Sequence, residues 1–169
     1  MKRYIIIAGE TSGDNFGGQL IKSIRESNQS NVEFWGTGGT KMIQEGLNVL
    51  DNINKISVVG FSEVIRKVPY MFRLRNRLSK FINELQPSNL ILIDFPGFNL
   101  SLLKRINNEI NVTYFISPQI WAWNPGRIKL IKKYVDRMLV IFPFEESYYN
   151  KRNVDVHYIG HPFLDTKKY

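Results

Sequence analysis

Cysteine is absent from the 169-residue chain, and histidine occurs only as His157 and His161. The lack of cysteine excludes disulfide bonds, thiolate nucleophiles and zinc sites built on cysteine. Two histidines alone do not make a credible metal-ligand set. We therefore expect no metal site.

Long hydrophobic runs are also absent, since no window approaches the roughly 18 apolar residues that a membrane-spanning helix needs. The basic start at residues 1–3, followed by the apolar residues 4–8, resembles a secretory signal peptide. However, the apolar run is short and ends in the polar segment 9–14, which favours a buried first strand. We expect a cytoplasmic protein whose membrane contact is peripheral.

Acidic residues are outnumbered, 15 against 23 lysines and arginines, giving a net charge of +8. Such an excess indicates an anionic partner, which could be a nucleic acid, a phosphorylated ligand or a lipid surface, or it is simply a solvated basic surface. No recognised nucleic-acid motif accompanies the basic residues, so we expect no nucleic-acid partner.

Short apolar runs alternate with amphipathic segments along the chain. The predicted strands are residues 4–8, 32–35, 89–93, 112–116, 137–141 and 156–159. The predicted helices are residues 18–27, 74–85 and 100–110, where apolar residues recur at helical spacing. This alternation is typical of the α/β class and predicts a Rossmann-like, doubly wound parallel sheet in one domain spanning residues 1–169.

Polar and glycine-rich segments follow five of the predicted strands. They are residues 9–14, 36–39, 94–97, 117–118 and 160–162. Ligands of open α/β sheets bind at the carboxyl ends of the strands, so these segments are expected to converge on one ligand-binding edge.

The first two of these segments are rich in glycine, which lets a backbone approach a ligand closely. The candidate substrate contacts are Gly9, Glu10, Ser12 and Asp14 in the first segment, and Gly38 in the second. The spacing differs from the dinucleotide-binding fingerprint. Equally, the first segment could be a tight turn in which Ser12 or Asp14 caps the next helix, and the second could only start a helix sharply.

Asp94 ends a predicted buried strand, so its carboxylate should lie at the ligand edge. There it could take a proton from a sugar hydroxyl as general base, or it could brace the loop through backbone N–H groups. His161 also follows a strand, as a ligand contact or a structural hydrogen-bonding residue. Trp121 and Trp123, which follow Ser117, could stack on a sugar, line an acyl groove or pack in the core.

Residues 64–80 combine an apolar stripe with many basic residues. The stripe consists of Val64, Ile65, Val68, Met71 and Phe72, on one helix or on two helices broken before Pro69. A basic amphipathic segment favours a membrane surface. The alternative is a core-facing helix with a solvated basic side.

Seven strings, in order along nearly the whole chain, together resemble lipid-A-disaccharide synthases. They are AGETSGD at 8–14, GTGGTKMIQEG at 36–46, SVVGFSEVI at 57–65, IDFPGFNL at 93–100, ISPQIWAW at 116–123, PFEESYY at 143–149 and YIGHPFLD at 158–165. The resemblance implies the N-terminal domain of a GT-B fold, in which two Rossmann-like domains face each other across a cleft.

The resemblance also implies a reaction and a set of residues. The family transfers diacylglucosamine from UDP-diacylglucosamine to the 6-hydroxyl of diacylglucosamine 1-phosphate, with inversion and without a metal or other cofactor. Asp94 matches the family's catalytic aspartate, and the stripe around Phe72 matches its membrane patch. The implied substrate contacts are Gly9, Glu10, Ser12, Asp14, Gly38, Ser117, Trp121, Trp123, Arg127 and His161.

This chain departs from the family pattern in two respects. Gly97 stands where the family usually has a second acidic residue, and Asn124, Pro125 and Gly126 precede Arg127 where the family has more basic residues. The family chain is also about twice as long, so we expect a C-terminal domain that binds the UDP-sugar as a partner. We do not expect turnover by this chain alone.

The resemblance and the basic stripe together predict a protein on the inner face of the inner membrane of a Gram-negative bacterium, which could form a homodimer. Two alternatives remain at this point. One is another GT-B transferase that acts on a polyprenyl-linked acceptor, and the other is a non-catalytic module that binds anionic membranes.

Overall fold

The computed structural model describes residues 1–27, 31–56, 61–121 and 124–161, without the side chains of residues 55, 56 and 61–66. Its seven strands are β1 Lys2–Ile7, β2 Val32–Gly38, β3 Leu47–Asn52, β4 Asn89–Ile93, β5 Val112–Phe115, β6 Arg137–Val140 and β7 Val156–Tyr158. They form one sheet in the order β3-β2-β1-β4-β5-β6-β7, and every neighbouring pair is parallel. The predicted α/β class and doubly wound parallel sheet are confirmed.

Seven α-helices are present in the described part of the chain. They are α1 Thr11–Ser27, α2 Thr40–Gln44, α3 Ile53–Ile56, α4 Phe61–Leu85, α5 Pro96–Leu103, α6 Ile128–Tyr134 and α7 Pro143–Asn150, with a short 3-10 helix at Pro125–Arg127. Among the described residues, no helix is both long and apolar enough to cross a membrane.

Two apolar cores lie on opposite faces of the sheet. Ile5 and Ile7 of β1 point to the face covered by α4, α5, α6 and α7, whereas Ile6 points to the face covered by α1 and α2. The carboxyl-terminal part of β1 and most of β4 are therefore buried on both sides, which explains why residues 5–7 and 90–93 are continuous apolar runs rather than alternating ones.

Some element bounds differ from the predictions. The helix predicted at 100–110 has the wrong bounds, because α5 begins at Pro96, a residue suited to the first turn, and ends at Leu103. Beyond it, the Asn107 carbonyl and side chain accept hydrogen bonds from the N–H groups of Ile110 and Glu109, which forms a turn instead. Strand β3 was not predicted. Of the two arrangements considered around Pro69, the structure has one helix, α4.

Candidate active site

The sheet reverses its winding direction between β1 and β4. From β1 the chain moves outward through β2 and β3, then returns to β4 on the other side of β1 and continues outward to β7. In open α/β sheets this switch point leaves a crevice outside the carboxyl ends of the strands, where ligands bind. Glu10 follows β1 and Asp94 follows β4, so both carboxylates belong to this crevice.

The backbone at Asp94 is held in an unusual conformation. Asp94 and Phe95 both have positive φ angles, 43° and 49°. The Asp94 carbonyl accepts hydrogen bonds from the Tyr114 hydroxyl at 2.6 Å and the Asn99 side-chain amide at 2.7 Å, and its N–H donates to the Phe115 carbonyl at 3.2 Å. Left-handed backbone costs free energy and persists where surrounding contacts determine it. These three contacts hold the backbone from which the Asp94 side chain projects.

The electrostatic surroundings make the Asp94 carboxylate a stronger base than usual. Burial, with a smaller contribution from the negative charge of Glu10, raises the pKa of Asp94 from 3.8 to about 6, and the backbone N–H of Phe95 opposes this shift. A carboxylate with this pKa is ionised at neutral pH and accepts a proton more readily than an ordinary aspartate.

Asp94 opens onto a cavity of about 350 Å³, a volume suited to a small ligand group. Pro96, Pro118, Gln119, Ile120 and Arg127 complete its lining. The cavity therefore combines a carboxylate that directly follows β4 with the partly exposed cation of Arg127, at the end of the 3-10 helix. This arrangement suits a hydroxyl that must lose a proton and an anionic group on the same ligand.

The glycine segment after β1 is shorter than predicted, because α1 already begins at Thr11. Glu10 and Ser12 are exposed at the crevice, whereas Gly9 is buried. A Cβ atom added to Gly9 would lie 2.5 Å from the ring of Phe95, so the glycine lets this ring cross the loop after β1. The segments after β1 and β4 are thus packed directly against each other.

Asp14 has a structural role in this fold. Its buried carboxylate accepts hydrogen bonds from the backbone N–H groups of Gly39, Lys41 and Met42 at 2.7, 3.0 and 3.0 Å. It therefore caps the N-terminus of α2, rather than its own helix as considered from the sequence. Its contact with a substrate stays a prediction, as does that of Gly38, which is the buried last residue of β2 and not part of a loop.

Glu145 was not predicted as a functional residue, yet it anchors the loop after β5. One carboxylate oxygen accepts hydrogen bonds from the Ser117 hydroxyl at 2.7 Å and the Trp121 indole N–H at 3.3 Å. The other accepts the backbone N–H groups of Ile141 and Phe142. A buried carboxylate gives no signal of its own in a helical sequence such as PFEESYY.

The remaining predicted contacts lie toward β6 and β7. Trp121 is 40% exposed and meets the Phe144 ring edge-on, with 5.0 Å between ring centroids. His161 lies against the Phe142 ring, with 5.7 Å between centroids. Trp123 lies outside the described residues. Among the described residues, no group of three or more His, Cys, Asp or Glu side chains is placed to hold a metal.

The comparison with protein families decides the family of this chain. Residues 4–169 match the model described as lipid-A-disaccharide synthetase. The chain belongs to the lipid-A-disaccharide synthetase family. It is 43% identical over 166 residues to the lipid-A-disaccharide synthase of Coxiella burnetii, covering 98% of this chain and 44% of the relative. It is 42% identical over 164 residues to lipid-A-disaccharide synthase 2 of Legionella pneumophila strain Lens, a match that covers 96% of this chain and 42% of the relative.

The chain thus spans less than half the length of these lipid-A-disaccharide synthases. Among solved structures it resembles the UDP-GlcNAc 2-epimerase of Neisseria meningitidis, with a TM-score of 0.66 at 9% identity over 98% of this chain and 47% of that one. It also resembles a putative UDP-N-acetylglucosamine 2-epimerase of Listeria monocytogenes, with a TM-score of 0.64 at 9% identity. That match covers 98% of this chain and 51% of the other. At such identities the likeness concerns the fold, which is of the GT-B type.

Within this member of the family, the apolar stripe lies on α4. Val68 and Phe72 are 43% and 52% exposed, and Met71 is half-buried against the core. The side chains of Val64 and Ile65 lie outside the described residues. The exposed apolar residues share α4 with Lys67, Arg73 and Arg75, as the basic amphipathic pattern predicted.

Proposed function

We propose that this chain is the acceptor-side half of an enzyme that transfers diacylglucosamine from UDP-diacylglucosamine to the 6-hydroxyl of diacylglucosamine 1-phosphate. The products are the β-1,6-linked lipid A disaccharide phosphate and UDP. The observation that carries the proposal is the position of Asp94 at the switch point, beside a cavity that also contains Arg127. Membership of the lipid-A-disaccharide synthetase family supports this reaction class.

In this proposal Asp94 acts as the general base. It accepts the proton of the 6-hydroxyl while that oxygen forms a bond to the anomeric carbon of the donor. The bond from the anomeric carbon to the UDP oxygen breaks, and UDP leaves with the electron pair. A single displacement inverts the anomeric carbon and needs only one base at the attacking oxygen. Arg127, in the same cavity, binds the phosphate of the acceptor.

The donor is held elsewhere in this proposal. A second domain, of the size by which the relatives exceed this chain, binds the UDP-sugar and closes over the β1–β4 crevice. The basic, apolar surface of α4 holds the enzyme on the inner face of the inner membrane, where its lipid substrates are.

A chimera tests the proposal. The chain would be fused to the carboxyl-terminal half of the Coxiella burnetii relative, and disaccharide formation would be followed by thin-layer chromatography. We expect turnover by the chimera and none by the unfused chain. Asp94→Asn should lower kcat about 100- to 10,000-fold with little change in acceptor binding, as expected when a general base is lost.

Asp155→Asn is a matched control, because Asp155 is exposed at the opposite, amino end of β7. It should leave kcat unchanged. Full activity of the Asp94→Asn chimera would contradict the assignment of the base. Turnover by the unfused chain would contradict the need for a second domain.

A further inference from the structure

A groove of about 540 Å³ lies between α4 and the first turn of α5. Its walls are mainly apolar, with Met71 and Phe72 from α4 on one side and Phe95 and Phe98 on the other. The Phe95 and Phe98 rings stack with 5.3 Å between centroids, which gives that wall a fixed shape. The volume falls within the range of pockets that bind small ligands.

Gly97 leaves the space in front of α5 open. A Cβ atom at this position would meet no heavy atom within 4 Å, and Gly97 does not have a positive φ angle. Neither close packing nor backbone conformation therefore explains a glycine here, although glycine is the least favourable helical residue after proline. Its effect is to keep a side chain out of the groove.

The groove also carries positive charge. Lys67 and Arg75 line it beside the apolar walls. The Arg75 guanidinium lies over the Phe72 ring, 4.6 Å from its centroid, and its Nε atom is buried without a hydrogen-bond acceptor in the described part of the chain. Such a site complements a molecule with an apolar chain and an anionic head.

The groove and the cavity of the proposed base meet at one turn of the chain. Asp94 and Pro96 line the cavity, while Phe95 and Gly97 line the groove. A sugar whose acyl chain occupies the groove would therefore lie close to the Asp94 carboxylate. A surface that only contacts the membrane would have no need for a groove that adjoins the cavity of the proposed base.

We propose that the groove binds one acyl chain of the phosphorylated acceptor lipid, and that Gly97 determines the longest chain that fits. This inference rests on the proposed function for the identity of the lipid. The binding of a chain in the groove and the role of Gly97 are tested separately from catalysis.

The test uses single-chain alkyl phosphates from butyl to tetradecyl, each kept below its critical micelle concentration, titrated into the chain by calorimetry. Affinity should rise about fourfold for each added methylene, which corresponds to about 0.8 kcal/mol, and then stop rising once the groove is filled. Gly97→Leu should lower the affinity for dodecyl phosphate at least tenfold and leave that for butyl phosphate unchanged.

Two control variants accompany Gly97→Leu. Gly97→Ala adds one methyl group and should have a smaller effect than Gly97→Leu. Ser23→Leu adds similar apolar bulk to an exposed position on α1, on the other face of the sheet, and should have none. Equal thermal unfolding midpoints would show that the variants are folded.

The proposal is overturned if dodecyl phosphate binds Gly97→Leu as tightly as the original chain, or if affinity does not depend on chain length. Equal binding of dodecyl trimethylammonium would overturn the role of the positive charges. In the chimera, Gly97→Leu should shift the preferred acceptor toward shorter acyl chains. If the Asp94→Asn chimera kept its activity while Gly97→Leu still shifted the chain-length preference, the proposed function would be rejected and the acyl-chain groove would stand. If Asp94→Asn abolished activity while Gly97→Leu left the chain-length preference unchanged, the groove would be rejected and the proposed function would stand.

Discussion

Glu10 and Asp94 lie at the ends of the adjacent strands β1 and β4, and the negative charge of Glu10 adds to the effect of burial in raising the pKa of Asp94 to about 6. Glu10 is exposed, so water screens its charge and burial remains the larger cause. The basicity of Asp94 is therefore set by two strands that are 80 residues apart in sequence but neighbours in the sheet.

Removing the charge of Glu10 should lower the pKa of Asp94. Glu10→Gln takes away the repulsion and leaves the burial, so the pKa should stay above 3.8 but fall below that of the original chain. Carboxyl carbon shifts measured by NMR during a pH titration would show this. Glu45→Gln, on the loop beyond α2, should not change it, and an unchanged pKa in Glu10→Gln would contradict the coupling.

Asp94→Asn should stabilise the fold at neutral pH. The folded chain holds the Asp94 proton up to about pH 6, whereas the unfolded chain releases it near 3.8, so the original chain loses stability as pH rises through this window. Asp94→Asn cannot ionise at residue 94, so it does not lose this stability. Because the side chain is only partly buried, we expect a gain on the order of 1 kcal/mol above pH 6.

Urea unfolding at several pH values would measure this gain. It should disappear below about pH 3, where Asp94 is protonated in both states. Asn tolerates left-handed backbone, so the conformation at residue 94 is retained. A gain that is equally large in acid would contradict ionisation as its cause.

Glu145→Gln should destabilise the loop after β5. The amide keeps one acceptor oxygen but presents an NH₂ group, so at least one of the four donors around Glu145 loses its partner. An unsatisfied buried donor costs about 1–3 kcal/mol, which urea unfolding would detect. Glu146→Gln, where the carboxylate accepts one exposed backbone N–H, should cost far less, and equal costs would contradict the anchoring role.

Phe72→Glu should weaken binding to vesicles that contain anionic lipid. The substitution puts a negative charge into the exposed apolar surface of α4, a helix that also carries six lysines and arginines. Flotation of the chain with vesicles would measure the loss. Phe144 is exposed to a similar degree, 49% against 52%, but lies on α7, so Phe144→Glu is the matched control and should keep most of the binding.

The central part of the fold could be predicted because burial on both faces leaves an unmistakable pattern. Strands β1 and β4 contain the continuous apolar runs at 5–7 and 90–93, and each predicted strand corresponds to one in the structure. Strand β3, with the sequence LNVLDN, lies at the edge of the sheet and mixes polar and apolar residues, so its pattern is weak. The start of α1 at Thr11 was not predicted, because Gly13, Gly17 and Gly18 are residues that disfavour a helix.

The candidate site was predictable only where a residue's position along a strand carries the information. Asp94 could be predicted at the sheet edge because it directly follows an apolar run. The cap that Asp14 provides to α2 and the anchoring by Glu145 could not, because both depend on partners about 25 to 30 residues away that only the packing brings close. Tyr114 and Asn99, which donate hydrogen bonds to the Asp94 carbonyl, lie 20 and 5 residues from Asp94, and their contact with it also depends on the fold.

The Phe95 ring that lies across Gly9 has an evolutionary consequence. A side chain at residue 9 would collide with the ring, so any larger residue there becomes acceptable only after residue 95 has become smaller. The two positions are therefore epistatic, and the order in which they change decides whether the intermediate protein keeps the proposed base in place. Among related sequences, bulk at one position should be accompanied by its absence at the other.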